Sequence, residues 1–254
     1  MVRSSEGRLT KKAERNIMKI LFMLPARSGS KGITDKNIKN LNGRPLMYYA
    51  INAILNSKSY AKHECYVMVN TDSSKYSQIA EQCGAKVPFL RDAEMAKDDT
   101  PVNEIIADTM NYFEKMNCSF DVFAMVQVTS PLITGKDIDS AVMMLEKDTT
   151  ADGIVSVTES EIMPLWCNTL PENLSMGNFI SKDIRQKNRQ ELPAYYRITG
   201  AIRMARWEHF KRNNFDWYEG NVKALVMEQQ SSVDIDTELD FELAKIIMKG
   251  RENI

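Results

Sequence analysis

The sequence predicts an α/β protein, a three-layer, mostly parallel sheet with an irregular insertion in its second half. Three observations predict it. Short apolar, β-rich runs alternate with segments of helical periodicity from residue 17 to 157. The polar, Gly-containing loops follow the strands, where ligands gather in open α/β sheets. Between residues 160 and 195 the periodicity fails, and Pro, Gly, Asn and charges are scattered.

In chain order, Ile20–Leu24 is a continuous apolar strand and Pro25–Asn37 is its loop. Pro45 opens a helix with Leu46, Ala50, Ala53 and Ile54 on one face. Cys65–Asn70 is a strand ending in Thr71-Asp72. Ser74–Cys83 is a helix closed by Gly84. Val87–Leu90 reads as a short strand. Thr100 is placed as N-cap of a helix with Pro101 at its first position, running to about Met116. Val122–Gln127 is a buried strand, and Thr134 caps a helix through Leu145. After Ile154–Val157 the irregular stretch reads as weak strands or a hairpin arm. Ile198–Met204 and Ala224–Met227 restore regular structure. Thr237 caps a last helix whose apolar face is read as Leu239, Leu243, Ile246 and Ile247.

Composition excludes several classes. With 33 basic and 34 acidic residues the formal net charge is −1, which gives no footprint for nucleic acid or an anionic membrane. No run approaches the ~20 apolar residues of a membrane span. Residues 1–17 are polar and basic, without an apolar signal core, and read as a disordered tail; Met18 stands where a native start would also fit. Cys65, Cys83, Cys118 and Cys167 show neither a CxxC pair nor zinc spacing, which fits a reduced, cytoplasmic protein. Two histidines, His63 and His209, leave little for a histidine metal site or a Ser-His triad.

Two segments carry chemistry. In Pro25-Ala-Arg27-Ser-Gly29-Ser30-Lys31-Gly32, the glycines let backbone amides turn toward an anion. Arg27 can fork two phosphate oxygens and Lys31 can place a point charge on a third. Lys36 and Asn37 can close the far side. The pattern is neither a P-loop nor GxGxxG, and a solvated basic loop would look the same. In Ser232-Val-Asp234-Ile-Asp236-Thr237 an extended backbone puts both carboxylates on one side, where they repel unless a cation lies between them. Mg²⁺ shared with a nucleotide phosphate is the natural candidate, and a plain acidic cluster at a helix start is the alternative. Gln127 and Ser130 follow a buried strand; a turn at Ser130-Pro131 explains them equally well. Arg91, Arg189 and Arg197 are further cations. Phe215, Trp217 and Tyr218 read as core or interface.

Taken together, Pro25–Gly32, Asp35-Lys-Asn37, Leu41-Asn-Gly43, Thr71-Asp72, Phe89-Leu-Arg91, Gln127–Leu132, Arg189–Pro193, Tyr196–Ala201 and Val233–Asp240 resemble the acylneuraminate cytidylyltransferases, in family order over about residues 18 to 248. The resemblance implies one nucleotidyltransferase domain over 18–254 and a cytoplasmic homodimer whose arm, about 160–195, reaches the neighbour's site. It implies CTP plus a nine-carbon α-keto sugar acid giving CMP-sugar and pyrophosphate, for cell-surface glycan synthesis. By the same resemblance Arg27, Ser30 and Lys31 hold phosphates. Asp234 and Asp236 hold Mg²⁺, and Arg27 and Lys31 share the catalytic role with them. Lys36 and Asn37 approach the nucleotide and Arg91 the base. Gln127, Arg189, Tyr195 and Tyr196 hold the sugar acid, and Arg197 supports the charge network.

Three departures from the family pattern mark where this chain differs. Asp98–Asn103 (DDTPVN) replaces a Ser-bearing stretch near the base, Val128 replaces a Pro, and Trp166 stands where a Lys can follow Pro-Leu. The alternatives left open are a legionaminic, pseudaminic or Kdo-type acceptor, GTP in place of CTP, a non-catalytic nucleotide-binding homologue, and, more weakly, a metal-dependent hydrolase. An aromatic Trp166 suits a sugar with additional acyl groups.

Overall fold

The structure, a computed structural model, describes residues 17–30, 32–97 and 99–252. The tail expected at residues 1–17 thus lies outside the described residues except for Ile17, as does Lys31.

The elements run β1 (Lys19–Pro25), β2 (Asn40–Leu41), β3 (Arg44–Pro45), α1 (Leu46–Leu55), α2 (Lys58–Lys62), β4 (Glu64–Asn70), α3 (Ser74–Gln82) and α4 (Val102–Lys115). They continue with β5 (Val122–Val126), α5 (Gly135–Lys147), β6 (Gly153–Glu159), α6 (Lys182–Arg185), β7 (Tyr196–Arg206), α7 (Trp207–Arg212), β8 (Val222–Val226) and α8 (Glu238–Glu252). Six strands form one sheet in the order β4-β1-β5-β7-β6-β8. Five run the same way and β7 is reversed, antiparallel to both β5 and β6.

The continuous apolar run of β1 follows from its place between two parallel neighbours, with both sheet faces covered. Its even residues Ile20, Phe22 and Leu24 enter the layer packed by α1, α5 and α8; Leu21 and Met23 enter the layer under α4 and α7. Strand β5 splits the same way, Val122, Ala124 and Val126 against Phe123 and Met125. The second layer is aromatic: Phe123, Phe210 and Trp217 pack with ring centroids 4.2–6.1 Å apart. Trp217 is therefore core, Phe215 packs beside it, and Tyr218 is exposed.

Four local expectations need correction. Val87–Leu90 is not a strand, because Pro88 has no amide to donate and the pairing stops at a single bridge, Met68 with Lys86. The helix after Thr100 starts at Val102 with Pro101 as N-cap, and the Thr100 hydroxyl donates to the Glu94 carbonyl, 3.3 Å away. Residues 160–195 hold no strand, only short helical turns at Pro164–Trp166, Lys182–Arg185 and Arg189–Glu191. The buried face of α8 is Phe241, Ala244 and Met248, with Ile247 partly covered, while Leu239, Leu243 and Ile246 are exposed. Two apolar stripes overlap on that helix. Its phase is set by the buried Ile235 before it and by Asp240, whose carboxylate accepts from the backbone and hydroxyl of Thr237, the expected cap.

Candidate active site

The carboxyl ends of β1, β4 and β5 open into one cavity of about 420 Å³. Its walls include Arg27, Ser30, Lys36, Asn37, Arg91, Gln127 and Asp236. Parallel strands bring these segments together although residues 27 and 236 are far apart in sequence.

The first loop is held from inside. The Ala26 amide donates to the Asn70 carbonyl, 2.9 Å, tying the end of β1 to β4. The amide of Ser28 donates to Asp72, 2.8 Å, and its hydroxyl donates to the other oxygen of the same carboxylate. Gly29 then turns at φ +72°, a conformation that suits glycine. Asn37 is buried and donates to the Arg27 carbonyl, 3.0 Å, so its amide braces the loop that carries Arg27. Burial works to raise the pKa of Asp72, but the Ser28 donors and the charge of Arg91 outweigh it and hold the carboxyl below the ordinary aspartate value.

Arg91 is 5% exposed. Its Nε and Nη2 donate to the side-chain and backbone oxygens of Asn70 at 2.5 and 2.9 Å, and Asn70 in turn donates to Thr109 of α4, 3.0 Å. Burial lowers the guanidinium to about 10, with Asp72 opposing, so it stays protonated at neutral pH.

The carboxylate segment is clamped from two directions. The Ile235 amide donates to the Thr129 carbonyl, 2.8 Å, and the Ile235 side chain is fully buried. Lys36 Nζ donates to the Ile235 carbonyl at 2.6 Å and to Asp236 Oδ1 at 3.0 Å. Gly32 passes so close that a Cβ there would lie 2.8 Å from the Asp236 carbonyl oxygen. Asp234 is open along one side, yet desolvation raises its carboxyl above the ordinary value; Asp236 adds repulsion, while the Thr129 side chain and Lys36 act the other way. Two carboxylates with an unbalanced negative field are what a divalent cation relieves. The described residues contain no group of three or more His, Cys, Asp or Glu placed to hold a metal. The donor chemistry of two carboxylates is one that Mg²⁺ can use, since it takes one or two carboxylates and completes its shell with phosphate oxygens and water.

The remaining expected residues lie elsewhere. Trp166, Arg189, Tyr195, Tyr196 and Arg197 do not line this cavity. Arg197 pairs with Glu161, 3.1 Å, and reaches Ser232 Oγ at 3.2 Å, two residues from Asp234. Arg189 donates to the Glu161 carbonyl, 3.3 Å. Trp166 and Tyr196 are exposed, and the Tyr195 carbonyl accepts from the Ser160 amide, 2.8 Å. The cavity also contains residues that sequence reasoning did not single out: Thr129, Lys97 and Ile105. Thr100 and Val102, from the divergent stretch, line it too. Thr129 lay within a quoted motif, but its bond to the carboxylate segment is legible only in three dimensions.

The loop carrying Arg27, the buried Arg91 and Asp236 around a strand-end cavity are groups that could hold the phosphates of a nucleotide. The chain belongs to the cytidylyltransferase family, whose model matches residues 21–237. It is 31% identical over 238 residues to the CMP-N,N'-diacetyllegionaminic acid synthase of Legionella pneumophila, covering 91% of this chain and 97% of that one. It is 34% identical over 243 residues to the N-acylneuraminate cytidylyltransferase of Escherichia coli O18:K1:H7, covering 93% of this chain and 54% of that protein, about half its length. It also resembles a solved CMP:2-keto-3-deoxy-manno-octonic acid synthetase complexed with CTP, with a TM-score of 0.67 and 15% identity, over 92% of this chain and 99% of that one. That last likeness is one of fold. No described helix is long and apolar enough to cross a membrane.

Two predictions follow from this geometry. Gly32→Ala pushes the phosphate loop off Asp236 and is expected to lower kcat/KM by about 10²-fold with the melting temperature little changed; steady-state kinetics beside a thermal melt checks it. Asp72→Asn is expected to destabilise the protein at neutral pH. Because the folded carboxyl lies below its unfolded value of 3.8, the gap to wild type is full above that value and closes as pH falls through the depressed one. Urea unfolding across an acidic pH series measures that gap.

Proposed function

We propose that the protein transfers CMP from CTP to a nine-carbon α-keto sugar acid of the sialic acid class, releasing pyrophosphate. The observation that carries this reading is the convergence of Arg27, Lys36, Arg91 and Asp236 on one cavity, with Asp234 outside its lining but within the electrostatic reach of Asp236. The two relatives above, named for legionaminic and acylneuraminic acids, support the acceptor class.

In the reaction the anomeric hydroxyl oxygen bonds the α-phosphorus, the bond to the β-phosphate oxygen breaks, and the hydroxyl proton is released. Arg27 and Lys31 balance triphosphate charge, which grows on the leaving pyrophosphate. Ser30 donates to a phosphate oxygen, and Asn37 keeps the Arg27 loop in place. Arg91, rigid on Asn70, faces the base, with Thr100 and Val102 forming the rest of that wall. Gln127 meets the acceptor at the end of β5. Asp234 and Asp236 would hold Mg²⁺, which when bound supplies charge neutralisation and lowers the pKa of the attacking hydroxyl. Lys36 keeps Asp236 oriented for that role.

Arg189, Tyr195, Tyr196 and Trp166 belong, in this reading, to an acceptor surface completed by a second copy. The arm of about 160–195 supports it, since Ile162, Trp166, Leu170, Leu174 and Met176 are all exposed and ask for a partner. Light scattering is expected to give twice the 29.0 kDa chain mass; a monomer at assay concentration sinks the shared site. All four cysteines are free, which supports a cytoplasmic setting.

Pyrophosphate release with Mg²⁺ should be measured over CTP, UTP, GTP and ATP against Neu5Ac, legionaminic acid, pseudaminic acid and Kdo. Signal is expected with CTP and a nine-carbon acid. Signal with GTP would mean that residues 98–103 rewrote base choice, and silence from a folded protein would mean the acceptor class is wrong. Asp236→Ala should lower turnover by at least ~10²-fold with circular dichroism unchanged; full activity would leave the carboxylate pair without its role.

A further inference from the structure

We propose that Arg203 receives the carboxylate of the acceptor. The inference rests on the sugar-acid reading above and adds the group that recognises the acid.

Arg203 sits in the middle of β7, in register with Met125 of β5 and Val155 of β6. Its flanking residues Ile202 and Met204 enter the layer under α1, α5 and α8, so Arg203 projects from the opposite face, the one shared by Met125 and Val155. Gln127 projects from that face as well, since Val126 and Val128 on either side of it are buried in the first layer. The Gln127 amide donates to the Ala201 carbonyl, 3.0 Å, which makes Ala201 its opposite number and Arg203 its diagonal neighbour. Diagonal neighbours on antiparallel strands lie about 7–8 Å apart, well within the reach of an arginine side chain. Arg203 therefore stands beside Gln127, one of the residues that line the cavity, without lining it itself.

Its hydrogen bonding is incomplete. Arg203 Nε is buried and has no partner, and among the described residues the Arg203 side chain forms no hydrogen bond and no ion pair. The residue as a whole is partly exposed, so the open part is the rest of the side chain. By contrast, Arg91 spends its donors on Asn70, Arg197 on Glu161 and Ser232, and Arg206 on the carbonyls of Leu145, Asp148 and Ala151. A charged, partly buried donor left open next to a substrate cavity is a binding group awaiting its anion. A second unpartnered donor lies on the same face. Trp217 Nε1 is buried without a partner, in a neighbouring cleft of about 410 Å³ that also includes Asn103. Asn103 directly follows Val102, which lines the nucleotide cavity, so the polar region continues past Gln127 around the first turn of α4. A planar guanidinium there matches a carboxylate through two parallel N–H donors, and among the described residues no carboxylate pairs with it.

The experiment measures wild type, Arg203→Gln and Arg203→Lys with CTP, the preferred sugar acid and the C1 amide of that acid. Wild type is expected to prefer the acid strongly over the amide. R203Q is expected to raise KM for the acid about 10- to 100-fold, the scale of a charged hydrogen-bonded pair, to lose the preference over the amide, and to bind CTP as wild type does. R203K should recover part of the loss. Unchanged KM for the acid in R203Q overturns the proposal, and so does an equal weakening of CTP, which marks a structural role. Should R203Q fail to fold, the wild type decides alone: use of the amide as readily as the acid overturns it. Wild type inactive with every sugar acid overturns the parent reading, and this inference with it; an active wild type with an indifferent R203Q overturns this inference only.

Discussion

The site depends on one cross-link: the Ile235 backbone, held through its amide by Thr129 and through its carbonyl by Lys36. Two aspartates separated by one residue repel each other and would drift apart in a free segment. Burial of Ile235 fixes the strip between them, and the two backbone bonds fix its height against the ends of β5 and the first loop. Lys36 then serves twice, because the same ammonium that anchors the carbonyl also faces Asp236. The close approach of Gly32 belongs to the same arrangement: a Cβ there would meet the backbone carbonyl of Asp236. The first loop and the carboxylate segment are thus one mechanical unit.

How much of this was legible in the sequence varies with the kind of signal. The continuous apolar runs of β1 and β5 announced strands covered on both faces, and the loops after them were correctly placed at the ligand end. The Asp234/Asp236 alternation was legible because an extended backbone has a period of two. Phase on α8 was not, because Leu239-Leu243-Ile246 and Phe241-Ala244-Met248 are equally good helical stripes and only the docking of Ile235 chooses between them. Val87–Leu90 had strand composition without strand hydrogen bonding, since Pro88 cannot donate. Thr100 had the chemistry of a cap but turned its hydroxyl to Glu94 instead.

The site residues divide along the same line. Arg27, Ser30, Lys36, Asn37, Arg91, Gln127 and Asp236 were visible as polar residues at strand ends, and they do meet in one cavity. Their individual duties were not visible. Asn37 and Lys36 are occupied in part with protein carbonyls, and Arg91 is built into the wall through Asn70. Arg203 escaped notice altogether, because an arginine inside the apolar run Ile198–Met204 looks like an outward-facing strand residue. Cross-strand register with Met125 and Val155 is what assigns it to the covered face, and register is not encoded in local pattern.

The reversed strand explains why the irregular arm sits where it does. Strand β6 runs with the parallel set, so Glu159 ends at the same edge as Gln127 and Asn70. Strand β7 runs the opposite way, so Tyr196 begins at that edge. Everything between them must leave from, and return to, the rim of the active site, whatever its own conformation. Glu161, two residues past the end of β6, and Arg197, the second residue of β7, close that rim with an ion pair that reaches Ser232 on the carboxylate side. An insertion anchored there can add groups to an acceptor surface without disturbing the sheet below. The same reversal carries Arg203 inward from the rim to lie diagonally beside Gln127. In the proposed reading, sheet topology thus delivers acceptor-side residues from β7 and its preceding arm, while β1, β4 and β5 deliver those for the nucleotide.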